Sequence, residues 1–149
     1  MESRQAKDEK FMRAAIAEAR EALSRKEVPV GAVVVHGGTV IARGHNLVET
    51  LCDATAHAEM QAITSAANRI GGKYLNECTL YVTVEPCPMC AGATAWSQVA
   101  RIVYGADDPK RGYRSSGGTI LHPRTEVTAG VLAAECGDMV SAFFAKLRD

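Results

Sequence analysis

The 149 residues match the size of one domain, expected to span 1–149, and their 47% hydrophobic and 23% charged content is ordinary for a globular protein. Lys+Arg and Asp+Glu both number 17, which excludes a protein that grips nucleic acid by bulk charge but leaves room for a local basic patch. The polar N-terminus lacks the apolar run of a secretory signal, no segment is apolar enough to span a bilayer, and five cysteines do not make a disulfide framework, so a cytoplasmic chain with reduced thiols and no membrane partner is expected.

Met12, Ile16, Ala19 and Leu23 recur at helical spacing and predict an amphipathic helix over 8–25. The β-branched run 32–35, the turn His36-Gly37-Gly38 and the run 39–43 predict an antiparallel hairpin. Residues 44–55 read as a loop. A helix follows over 56–70, stopped by Gly71-Gly72, then a strand over 78–84, a helix from Pro86 to Gln98 and a strand over 101–104. After an irregular segment, Leu132, Cys136, Met139, Val140, Phe143 and Leu147 mark a C-terminal helix. Strands alternating with helices predict an α/β chain whose sheet is covered on both faces.

Two motifs carry the chemistry. His57-Ala58-Glu59 and Pro86-Cys87-Pro88-Met89-Cys90 both lie at predicted helix starts, the second where a strand hands over to a helix. Cys87 and Cys90 are three positions apart, so their sulfurs share one side of a first helical turn. Two thiolates and an imidazole suit zinc, and a helix N-terminus favours thiolate. Three ligands leave a tetrahedral position open for water, as in catalytic zinc sites. Glu59 is a poor ligand for such a thiolate-rich site and is better employed moving protons. The alternative is a purely architectural zinc, with Cys52 completing a Cys₃His set. Cys78 falls within a predicted strand and Cys136 on the apolar stripe of the C-terminal helix, and both read as small buried hydrophobes.

His57-Ala58-Glu59 with Pro86-Cys87-x-x-Cys90 resembles the signature of the cytidine deaminase superfamily of zinc deaminases. The segments 27–32, 44–46, 55–59, 79–87, 90–93, 103–108, 126–127 and 130–133, with Phe143-Phe144, are similar to its tRNA adenosine deaminase family. The resemblance implies a three-layer α/β/α fold with a five-stranded mixed sheet. It also implies a homodimer, one Zn²⁺ per subunit on His57, Cys87 and Cys90, and Glu59 as proton shuttle. The reaction implied is hydrolytic deamination of the wobble adenosine of a tRNA anticodon loop to inosine. Asn46, with Val30 and Ala58, would then meet the flipped nucleotide, and Asp108 would lie near the RNA backbone.

An anticodon stem-loop partner needs a basic rim, for which Lys110, Arg111, Arg114 and Arg124, interleaved with Tyr113, and Lys146 and Arg148 are candidates. The stretch 112–124 is shorter than its counterpart in that family. Free-base deaminases of the guanine type share the zinc motifs, and Trp96 lies in a segment that suits them. A non-catalytic scaffold binding RNA or a partner is the third reading, against which the intact Glu59 speaks.

Overall fold

A computed structural model describes residues 2–148. Helix α1 (Arg4–Ser24) starts four residues before the expected point, because the Ser3 side chain accepts the N–H of Ala6 and caps it. Strands β1 (Gly31–His36) and β2 (Thr39–His45) form the expected antiparallel hairpin. Gly37 and Gly38 turn it with φ of 58° and 77°, the paired positive values of a tight hairpin turn. The predicted loop after β2 contains a short helix, α2 (Val48–Leu51).

Helix α3 (Ala58–Ile70), strand β3 (Cys78–Val84), helix α4 (Pro88–Trp96) and strand β4 (Arg101–Ala106) follow close to expectation. A 3₁₀ turn at Tyr113–Ser116 and strand β5 (Glu126–Ala129) occupy the segment read as irregular, and α5 (Ala133–Arg148) closes the chain. β5 has four residues, three of them exposed, so its alternation of Glu126, Val127, Thr128 and Ala129 is too short to reveal a strand. It is one of the two edge strands, β2 being the other, and edge strands are commonly short.

The sheet order is β2-β1-β3-β4-β5. β1 is antiparallel to β2 and β3, whereas β3, β4 and β5 run parallel. Side chains alternate across the pleat. Ala32, Val34, Leu80, Val82, Ile102 and Tyr104 pack with α3, and Val33, Val35, Tyr81 and Val103 pack with α1 and Cys136 of α5. The result is the three-layer, five-stranded mixed arrangement that the resemblance implied. Among the described residues, no helix is long and apolar enough to cross a membrane.

Two close contacts hold the layers in place. At Gly44 an added Cβ would run into the backbone of Ala58 and Ala62, so β2 and the start of α3 approach as only glycine allows. On the opposite face, buried Asp8 of α1 takes both guanidinium nitrogens of Arg101 at 2.8 and 2.6 Å and the Tyr81 hydroxyl at 2.8 Å.

Candidate metal centre and active-site cleft

β3 and β4 are parallel, and their C-terminal ends open into one crevice, the usual location of a site in an α/β sheet. His57 and Cys87 are the N-cap residues of α3 and α4, and neither side chain caps its own helix. Both are therefore free to turn towards each other. Pro88 occupies the first turn of α4, where its missing N–H costs little.

The His57 Nδ1 lies 3.6 Å from the Cys87 Sγ and 3.6 Å from the Cys90 Sγ, and all three ligand atoms lie within 4.8 Å of one another. A tetrahedral zinc with bonds of about 2.3 Å to sulfur and about 2.0 Å to nitrogen has N···S edges of about 3.6 Å. Donor chemistry and spacing both fit zinc.

Electrostatics agree with the geometry. The hydrogen bond from Cys90, opposed by burial and supported by His57, brings the Cys87 thiol down to about 4. The contact with Cys87 and burial push Cys90 up. A coordinated cation reverses that for Cys90, because a ligating thiol gives up its proton. Glu59, in the first turn of α3, is 4% exposed, and burial pushes its carboxyl up to about 7. That value suits a group that must accept and return a proton near neutrality.

Cys52 stands apart. It is exposed, in a left-handed conformation at the end of α2, and its thiol points at the Glu49 carbonyl at 3.8 Å. It is absent from the His57–Cys87–Cys90 cluster, so among the described residues the four-ligand architectural zinc has no fourth ligand.

Above the metal centre lies an open cleft of about 640 Å³. His57, Ala58, Glu59 and Cys87 form its floor. Val28, Val30, Asn46 and Val48 make one wall, and Ala106, Asp107, Asp108, Lys110 and Arg111 another. Val140, Phe144 and Arg148 of α5 close the third side.

Residues 5–106 match the cytidine and deoxycytidylate deaminase zinc-binding region. The chain belongs to this deaminase family. A tRNA-specific adenosine deaminase of Bacillus subtilis is 49% identical over 146 residues, which cover 95% of this chain and 91% of that one. A solved structure from studies of A-to-I editing by tRNA:A34 deaminases at the wobble position of transfer RNA superposes with a TM-score of 0.81. It is 42% identical and covers 87% of this chain and 98% of its own. A guanine deaminase structure from Bacillus subtilis is more distant, with a TM-score of 0.65 and 38% identity over 74% of this chain and 69% of that one.

Val30, Asn46, Ala58 and Asp108 line the cleft together with Glu59. The basic rim is narrower than expected. Lys110, Arg111 and Arg148 line the cleft, whereas Arg124 and Lys146 do not. Arg114 is committed to ion pairs with Glu85 at 3.0 Å and Asp107 at 2.8 Å. Tyr113 packs against the core. Trp96, 86% exposed on α4, is remote from the cleft lining and so carries no argument for a free-base pocket.

Three contributions escaped the sequence reading. Cys136 is the buried residue of α5, while Val140 from the same apolar stripe and Phe144, which the stripe did not include, line the cleft. Periodicity identifies such a stripe but not which neighbour covers it. Glu27 and Glu85 are buried carboxylates whose oxygens accept backbone N–H groups, Glu27 from Glu49 and Thr50 at the start of α2. Burial of a Glu has no periodic signature in a loop.

Proposed function

We propose that this chain hydrolytically deaminates the wobble adenosine of a tRNA anticodon loop to inosine, with release of ammonia, through one deaminase domain. The observation that carries the reading is the His57–Cys87–Cys90 cluster beside buried Glu59, at the floor of a cleft wide enough for a single flipped base. Similarity to tRNA-specific adenosine deaminases over nearly the whole chain supports RNA over free base.

His57, Cys87 and Cys90 hold the zinc, which supplies activation of water at neutral pH. Glu59 takes a proton from the attacking water and delivers it to N1 of adenine as oxygen bonds to C6. Glu59 then moves the second proton from that oxygen to the exocyclic nitrogen. The C6–N6 bond breaks, ammonia leaves and the C6 carbonyl of inosine remains. Asn46, Val30 and Ala58 orient the flipped base against the floor. Asp108 sits beside the RNA backbone, and Lys110, Arg111 and Arg148 meet its phosphates.

Two features support a cytoplasmic homodimer. α4 is apolar around nearly its whole circumference yet exposes Met89 and Trp96, a pattern proper to a helix that another surface covers. A second copy of the chain supplies that cover. Light scattering should give twice the chain mass, and Trp96→Lys should lower it. The free cysteines fit a reducing compartment.

Incubation with an anticodon stem-loop containing wobble adenosine, and separately with guanine and cytidine, tests the substrate. Inosine in the stem-loop alone is the expected result. Ammonia from guanine alone overturns the reading in favour of a free-base enzyme.

A further inference from the structure

Glu85 closes β3 two residues before the Cys87 turn, and its side chain is 1% exposed. Each of its carboxylate oxygens is occupied by the loop that follows β4. Oε1 accepts the Asp108 N–H at 3.0 Å and an Arg114 guanidinium N–H at 3.0 Å, and Oε2 accepts the Arg114 N–H at 3.1 Å. The Glu85 N–H donates to the Ala106 carbonyl at 2.8 Å, and the Tyr113 N–H donates to the Pro86 carbonyl at 2.8 Å. Gly112 passes so close that an added Cβ would overlap the carboxylate. The loop is wrapped around one buried anion.

Such wrapping has a physical purpose. Residues 107–114 contain no strand and only the start of a 3₁₀ turn, so few of their amides are satisfied by regular structure. A carboxylate accepting several N–H groups replaces that missing ladder with charge-assisted bonds, about twice as strong as neutral ones. The same anion takes up the Arg114 charge, which is why Arg114 turns inward while Lys110 and Arg111 reach the cleft.

We propose that Glu85 is a positioning residue, which holds the loop carrying Asp108, Lys110 and Arg111 at a fixed height above the metal centre and so sets affinity for the RNA. This rests on the reading of that loop as the RNA rim. Glu85 lines the cleft, but both of its carboxylate oxygens are taken by the loop, so it acts through the loop rather than on the reacting atoms. Its influence therefore falls on substrate binding and leaves the chemical step alone.

Glu85→Gln keeps the shape but turns an amide NH₂ towards donors, and Gly112→Ala displaces the same carboxylate without changing any charge. Full-length zinc-loaded protein carrying either change should bind one zinc per chain, as wild type does. KM for the anticodon stem-loop should rise about tenfold, the effect of losing one charged hydrogen bond, while kcat stays within about twofold of wild type. Hydrogen exchange should show lost protection at the Asp108, Gly112 and Arg114 amides with α3 and β3 unchanged. The double variant should add little to either single change, because both break one cluster. Unaltered KM and loop exchange overturn the proposal, as does loss of zinc or a fall in kcat with KM unchanged. Exchange and zinc content are read without substrate, so a wild-type protein inactive on the stem-loop would reject the RNA reading while these two still judge the role of Glu85 in the loop.

Discussion

At the floor of the cleft, four chemical side chains come from the N-terminal ends of α3, which buried apolar residues seat on the sheet, and of α4, which packs against α3. At the rim, the charged groups come from a loop with little regular structure and from the exposed side of α5, held on the loop side by one buried carboxylate. Rigid elements place the reacting atoms, where small misplacements are costly. The polar segment places contacts that a nucleic acid backbone tolerates at lower precision. On the proposed reading, the chemistry at the floor and the backbone contacts at the rim are separable.

The largest blow to that separation is removal of a floor ligand. Cys87→Ala should lose stoichiometric zinc, measured by elemental analysis, and all detectable deamination. Persistence of both would mean that the cluster is not the metal site.

A scaffold change should affect neither part directly. Burial alone would raise the Asp8 carboxyl, but the Arg101 guanidinium and the Tyr81 hydroxyl hold it below the ordinary carboxylate value. Asp8→Asn leaves Arg101 without its buried partner and should cost about 3 kcal/mol in denaturant unfolding, with zinc content and KM retained. A carboxyl whose pKa is depressed by folding stabilises the protein above its unfolded value and loses that contribution as pH falls through the folded one. The stability gap between wild type and Asp8→Asn should accordingly narrow below about pH 4. A gap constant down to pH 2 would show that the pair contributes nothing through charge.

Rim changes should be smaller and salt-dependent. Lys110→Ala and Arg111→Ala should each weaken stem-loop binding and reduce the slope of log affinity against log salt by about 1, with kcat preserved. A fall in kcat without a change in slope would place these side chains in the chemistry instead. Smallest of all is Cys52→Ser, for which zinc content and activity should match wild type.

The same division explains what could be read from the sequence. His57, Glu59, Cys87 and Cys90 sit in two short motifs at strand-to-helix or loop-to-helix junctions; local rules place each motif at a helix start, and the family resemblance joins the two into one site. The alternating strands and the stripe of α1 were legible for the same reason. β5 was not, because it has only four residues, three of them exposed, and pairs through β4. Nor were the Glu85 clamp, the inward turn of Arg114 or the cleft-facing side of α5. Each depends on contacts between segments far apart in the chain, and a run of basic residues looks alike whether it faces solvent, a phosphate or a buried carboxylate.

The central claim is a zinc site whose proton traffic runs through Glu59. It is tested most directly by measuring zinc content and inosine formation in Glu59→Ala beside wild type, on an anticodon stem-loop with wobble adenosine. The variant should retain one zinc per chain while turnover falls by at least about 10³-fold, in keeping with the loss of a general acid–base group. Wild-type turnover in the variant would contradict the account.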